Sequence, residues 1–476
     1  MLFNSIDFAI FLPIVFILYW FATNKNLKLQ NLLIVAASYV FYGWWDWRFL
    51  SLIIFSTIVD YFVGRALGKE ENKRKRKLLL WISILVNLGF LGFFKYYNFF
   101  LDNFVTAFSF FGQPINPQGL SIVLPVGISF YTFQTMSYTI DVYKRKLKPT
   151  KDFIAFSAFV SFFPQLVAGP IERATNLLPQ FYKKRTFDYA KAVDGMLQIL
   201  WGLFKKVVIA DNCAEYANLI FNNSADYSGS TLFLGAVFFA FQIYGDFSGY
   251  SDIAIGTSRL FGFNLMQNFN FPYFSRDIAE FWRRWHISLS TWFRDYLYIP
   301  LGGSRGGTWM KVRNTFIIFI VSGFWHGANW TFIVWGALNA IYFLPLLLTN
   351  NNRNNVDTVA KGKFFPSIKD LSSILLTFSL TIFAWIFFRS ASVYDAINYI
   401  SNIFSTSIFT LPEVFPKKVL IIIMIFILIE WLQRGKEHAL QFINLPRPVR
   451  YAFYYLIIFV IFWKGGNHQD FIYFQF

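Results

Sequence analysis

The sequence predicts an all-α polytopic membrane protein, and three observations predict it. Hydrophobic residues make up 56% of the 476 and charged residues 14%, where a soluble chain carries about 25% charged. Aromatic residues reach 22% of the chain. The apolar residues gather into runs divided by short polar or basic loops. A soluble chain of this length divides into about two or three domains, whose surfaces need far more charge. The composition therefore excludes a soluble multidomain fold, disorder and collagen-like fibres. The single cysteine, Cys213, excludes an intrachain disulfide.

The first apolar run, 6–21, has no basic residue before it and no small-residue cleavage site after it, so it reads as a retained helix and not a signal peptide. Further runs follow at 32–45, 49–67, 78–94, 122–138, 192–210, 232–244, 316–323, 331–348, 371–388, 419–432 and 451–463. Several fall short of the roughly 20 residues of a perpendicular crossing, so the expectation is about ten to twelve membrane segments, some tilted or re-entrant. The basic loops 69–77 (KEENKRKRK) and 144–151 (KRKLKPTK) are placed in the cytoplasm by the positive-inside rule. Counting back three spans puts the N-terminus outside. The Asn-rich stretch 350–363 reads as a flexible loop with no core of its own. A single membrane domain is expected over 1–476, with N-terminal helices to 143, a core from 144 to 348 and C-terminal helices from 349. The formal net charge of +17 fits basic loops facing anionic membrane lipids. Nucleic acid is not an expected partner, because the basic residues punctuate apolar runs and form no separate domain.

Polar residues at membrane depth are expensive and are usually kept for a role. Three clusters stand out. PQLVAGPIER at 164–173 breaks any helix with two prolines and a glycine; it reads equally as a re-entrant segment lining a site or as an interfacial turn with Glu172 and Arg173 in the headgroups. YGDFSGYSD at 244–252 either holds a polar site or caps a helix beginning near Ser251, though capping does not account for both Asp246 and Asp252. DIAEFWRRWHISLSTWFRDYLY at 277–298 places Trp285, Leu289, Trp292 and Tyr296 on one helical stripe decorated by Arg283, Arg284 and Arg294, an amphipathic interfacial pattern with His286 within it. The glycine-rich turn at 300–307, with Arg305, suits an anionic ligand but lacks Walker spacing.

His326 lies in SGFWHGANW at 322–330, where Gly323 and Gly327 remove bulk and let a substrate or another backbone approach. No HExxH or cysteine cluster supplies a metal site, and no Gly-x-Ser-x-Gly elbow supplies a nucleophile. A buried histidine acting as general base suits direct transfer of an activated acyl group to a hydroxyl.

These clusters, in this order, resemble the membrane-bound O-acyltransferase family, in the branch that holds the membrane subunit of bacterial alginate O-acetylation. The resemblance rests on PQLVAGPIER, YGDFSGYSDIAIG at 244–256, FWRRWHISLSTWFRDYLYIPLGG at 281–303 and SGFWHGANWTFIVWG at 322–336. It implies a ring of tilted helices around a central funnel. His326 matches the catalytic histidine of the family, and His286 a position held by a second histidine, or by asparagine in eukaryotic relatives. The implied donor is acetyl-CoA, with no tightly bound cofactor. Its phosphates are expected near Arg283, Arg284 and Arg305, with His326 as base and His286 orienting the thioester or polarising its carbonyl. Asp246, Asp252, Trp325 and Asn329 complete the expected substrate-binding set. An extracytoplasmic partner protein and an exported polysaccharide are the implied acceptors, in a bacterial inner membrane. The alternatives are D-alanyl transfer to teichoic acid, a polysaccharide or lipid transporter, which the lack of an internal repeat disfavours, and an inactive scaffold.

Overall fold

The computed structural model describes residues 1–110, 119–441, 445–467 and 469–472; His468 lies outside them. Among the described residues every regular element is helical. Each apolar run overlaps a helix, run 122–138 only from Ile128 onward, and the short ones are parts of longer helices. Run 232–244 is the middle of Gly229–Leu260, and run 316–323 ends Gly307–His326. Their ends escape hydropathy because polar side chains continue the helix without breaking its backbone hydrogen bonds. Many starts are local: Ser5, Asn26, Asn72, Asp152, Ser367 and Ser392 each accept a backbone N–H of the first turn. Among the described residues, five stretches are long and apolar enough to cross a membrane, namely Leu27–Lys69, Lys73–Phe110, Gly229–Leu260, Trp330–Leu348 and Ile368–Arg389. The helix Val393–Ile403 had no counterpart among the runs; it is short and buries only Ala396, Tyr399 and Ile403.

The chain forms two compact units. The first comprises Met1–Ala192 and Thr257–Leu265. Its core is aromatic, with Phe41, Phe156, Phe162, Phe163 and Phe261 fully buried. Helices Leu50–Lys69, Lys73–Leu91 and Ile128–Tyr143 meet around the buried carboxylate of Asp60, which accepts hydrogen bonds from Ser83 Oγ, Asn87 Nδ2 (2.9 Å) and Thr139 Oγ1 (3.2 Å). The 164–173 segment belongs to this unit and is non-helical, as its prolines predict. The headgroup alternative is corrected here. Glu172 is fully buried and accepts from Asn176 Nδ2 at 2.7 Å.

The second unit comprises Val193–Gly256 and Met266–Phe476. Helix Gly229–Leu260 runs unbroken through 244–252, so those residues are helix interior; this corrects the reading of a helix start near Ser251. The glycines there serve close packing. A β-carbon at Gly249 would lie 2.8 Å from Gly202 O, and one at Gly202 would lie 2.6 Å from Gly249 O. Gly307–His326 and Trp330–Leu348 pair by the same device. A β-carbon at Gly323 would lie 2.1 Å from Phe332 O, and one at Gly336 would lie 2.3 Å from Phe319 O. Small residues that let backbones touch are the usual means of helix association where lipid removes the hydrophobic drive. Of the two approaches that sequence left open at Gly323, the structure shows a backbone.

Gly323→Ala should therefore force this helix pair apart and destabilise the protein by about 1–3 kcal/mol, read as a lower melting temperature in detergent. Gly89→Ala is the control, since a β-carbon at Gly89 meets nothing within 4 Å, and it should be neutral or stabilising.

Candidate active site

Residues 277–298 do not form the single helix their spacing predicts. Asp277 caps Ile278–Arg284 by accepting the Glu280 N–H at 2.6 Å, the chain turns at Trp285 and His286, and Ile287–Phe293 begins. The aromatic stripe is corrected accordingly, since Trp285 leaves the helical register shared by Leu289, Trp292 and Tyr296. His286 takes φ 44°, ψ 53°, a left-handed conformation that costs a residue with a β-carbon about 1–2 kcal/mol. Such strain persists where the surroundings over-determine it, and it gathers at functional sites.

The surroundings here are residues 268–270. Ile287 N–H donates to Asn268 O and Asn270 N–H to Arg284 O, both at 2.9 Å. Asn268 Oδ1 accepts from Ser288 Oγ (2.8 Å) and Ser288 N–H (3.3 Å), and it lies 3.1 Å from His286 Nδ1. Its Nδ2 donates to Ser251 Oγ at 3.0 Å. A backbone N–H can only donate, so the amide atom facing it is the oxygen, and His286 Nδ1 must carry its hydrogen. Nε2 is then a bare lone pair, buried, with no hydrogen-bond partner among the described residues. Burial disfavours the charged form of this ring, so it is neutral.

His326 ends Gly307–His326 and is buried against Trp325, Trp335 and Phe388, at ring-centroid distances of 4.9, 5.2 and 5.2 Å. The two imidazoles lie 6.4 Å apart at 62°, with Trp325 6.1 Å from His286. A cavity of about 230 Å³ is lined by Ser322, one helical turn before His326, and by Arg294, Tyr298, Ser304 and Arg353. Arg305 is exposed beside Ser304.

The remaining expected site residues are placed as follows. Asp252 pairs with Lys205 Nζ at 2.6 Å and accepts from Gln198 Nε2 at 2.9 Å. Asp246 pairs with Lys206 Nζ at 3.0 Å and accepts the Ile472 N–H at 2.6 Å; Lys206 also pairs with Asp211 at 2.8 Å. Both aspartates thus anchor the helix that sets Phe247 4.6 Å from His286 and presents Ser251 to Asn268. Asn329 caps Trp330–Leu348 through the Thr331 N–H and donates to Ala391 O at 3.0 Å. Arg283 donates to Asn352 O and Asn355 O, each at 2.7 Å. Arg284 binds Glu280 and donates to Asp357 O at 3.0 Å, while Arg276 pairs with Glu280 and Asp357. The loop 350–363 is therefore a docked strap, which corrects its reading as flexible. Arginines hold its carbonyls, and Val359 is buried. His438 has both ring nitrogens engaged, Nε2 with Asp194 Oδ1 (3.0 Å) and Nδ1 with the Leu440 N–H (3.3 Å), and so acts as a structural tie.

Sequence reasoning missed Asn268, Lys205, Lys206 and Arg353. The adjacent lysines carried a usable signal, as two charges inside the apolar run 192–210. Asn268 carried none.

Comparison with known proteins bears on this arrangement. The model of the membrane-bound O-acyltransferase family matches residues 142–388. The chain is 40% identical to the probable alginate O-acetylase AlgI of Pseudomonas aeruginosa, over 87% of this chain and 76% of that protein. It is 36% identical to the peptidoglycan O-acetyltransferase of Helicobacter pylori, over 84% and 79%. Identity to the teichoic acid D-alanyltransferase of Bacillus subtilis is 29%, over 58% and 71%.

Asn268→Ala should free the His286 ring to change tautomer and rotate, lowering turnover per folded molecule by about 10²-fold, the scale of a small misplacement of a reacting group. His438→Gln should instead lower stability by about 1–3 kcal/mol and leave turnover per folded molecule unchanged. Turnover in membranes together with thermal melts separates the two.

Proposed function

The chain belongs to the membrane-bound O-acyltransferase family and is an acetyltransferase of that family, and from this premise we propose that it carries acetyl groups from cytoplasmic acetyl-CoA to an exported polysaccharide of the alginate kind. The observation that carries the mechanism is the pair of buried imidazoles 6.4 Å apart, one of them a helical turn along from Ser322, which lines a cavity with arginines in its wall. The acceptor is either a sugar hydroxyl or a hydroxyl on an extracytoplasmic partner that passes the acetyl group onward. The protein sits in the bacterial inner membrane with its N-terminus outside.

His326 takes the proton of the accepting hydroxyl as its oxygen attacks the thioester carbon. The carbon–sulfur bond then breaks, and the coenzyme thiolate leaves with that proton. Carbonyls at the end of Gly307–His326 favour the positive charge that forms transiently on the ring. Of the two roles expected for His286, orientation is the compatible one. With hydrogen on Nδ1 and a lone pair on Nε2, the ring accepts a hydrogen bond and has none to give a carbonyl. In this reading Arg294 and Arg353 meet the donor phosphates together with Arg305. Arg283 contributes by gripping Asn352 O, the carbonyl next to Arg353, and Arg284 by holding the same strap. Trp325 packs against both imidazoles, 6.1 Å from His286 and 4.9 Å from His326.

D-alanyl transfer would use the same histidines and differs in the group delivered. Mass spectrometry of the exported polymer distinguishes an acetyl from a D-alanyl ester. His326→Ala should abolish polymer acetylation, by at least about 10³-fold for loss of a general base and its neighbours, while expression and membrane insertion stay normal. A variant that retains near-normal acetylation removes the role. Arg353→Ala should raise the KM for acetyl-CoA more than it lowers kcat.

A further inference from the structure

The second unit holds another cavity, of about 470 Å³, that acyl transfer does not use. It lies among Gly229–Leu260, Ile368–Arg389 and Lys417–Gln433 and is lined by apolar side chains such as Phe241, Leu375, Phe378 and Met424. Leu375 and Met424 are 56% and 69% exposed, so the cavity opens on the surface, beside a helix long and apolar enough to cross a membrane. Its lining carboxylate, Glu430, is satisfied by Tyr244 Oη at 2.9 Å from both oxygens, so the groove offers little to a polar ligand.

The rim is different. Phe364, Phe365 and Pro366, where the strap runs into the next helix, form one wall. They are fixed by Trp431 Nε1 donating to Phe364 O at 2.8 Å, and by Arg434, which donates to the carbonyls of Val359, Ala360 and Lys363. That wall is bracketed in the chain by the exposed Lys361, Lys363 and Lys369. The neighbouring acids are already engaged, Asp357 with Arg276 at 3.0 Å and Asp370 with Ser367 Oγ at 2.7 Å. An apolar groove whose wall is flanked in the chain by exposed lysines is complementary to a bilayer lipid with an anionic headgroup.

We propose that this groove holds an acyl chain of an acidic phospholipid whose phosphate is met by Lys361, Lys363 and Lys369. The lipid would brace the strap that Arg276, Arg283 and Arg284 grip. It would also brace Tyr244 and Tyr273, which line the groove and lie 6.1 and 6.0 Å from Trp285, the residue before His286. The proposed acyl transfer needs no such lipid; the site adds a dependence on membrane composition.

The test uses the full chain purified from its membrane, with retained lipid measured by native mass spectrometry, and then delipidated protein in phosphatidylcholine nanodiscs with and without phosphatidylglycerol. Phosphatidylglycerol should be enriched over its share of the membrane and should raise the melting temperature. A lysine near the interface favours an acidic lipid about fivefold, so the combined Lys361→Glu, Lys363→Glu and Lys369→Glu variant should retain at least about tenfold less of it. All three positions are exposed, so the fold tolerates the change. Leu375→Trp, also at an exposed position, should fill the trough and displace the lipid while the lysines remain. Retained lipid that mirrors the bulk membrane would overturn the proposal. So would equal phosphatidylglycerol retention by the lysine variant, or unchanged lipid stoichiometry in Leu375→Trp.

Discussion

Two buried lysines determine where His286 points. Lys205 pairs with Asp252, and Lys206 with Asp246 and Asp211, because a charge removed from water is tolerable only when it is neutralised and hydrogen-bonded. These pairs lock the helix Gly229–Leu260 against the segment that carries the lysines, in a register that backbone contact between Gly202 and Gly249 makes unique. That register puts Ser251 beneath Asn268 and Phe247 against the His286 ring. Removing one partner would leave an uncompensated charge in an apolar interior, a cost far larger than any single contact made by the imidazole itself.

The strap at 350–363 shows a second use of charge. Arg276, Arg283, Arg284 and Arg434 all donate to its backbone carbonyls. The planar guanidinium fork makes several such bonds from one side chain, so four arginines order a segment with no regular secondary structure. The same grip places Arg353 in the wall of the cavity that Ser322 also lines. Positive charge that reads in the sequence as an anion-binding surface is thus partly structural.

Around the histidines the protein uses aromatic rings. Trp325, Trp335, Phe388, Phe247 and Phe269 pack against the two imidazoles, and an apolar surround of this kind strengthens every remaining polar interaction. The strained backbone of His286 is held by residues 268–270, so the ring orientation does not depend on a bound substrate.

Sequence by itself determined the class of the protein, its helices, the motifs that place it in its family and the two histidines worth attention. These are legible because hydropathy is a local sum, and because a polar residue in an apolar run stands out wherever the chain folds. Sequence did not determine that 277–298 breaks at His286, that Asp246 and Asp252 bind lysines, that Glu172 is buried, or that Gly323 faces a backbone. Each of those depends on a partner distant in the chain, such as Asn268 for His286 or Asn352 for Arg283. Only the tertiary structure brings such partners within hydrogen-bond reach, and at about 3 Å the identity of the neighbour, not the spacing of the motif, decides what a side chain can do.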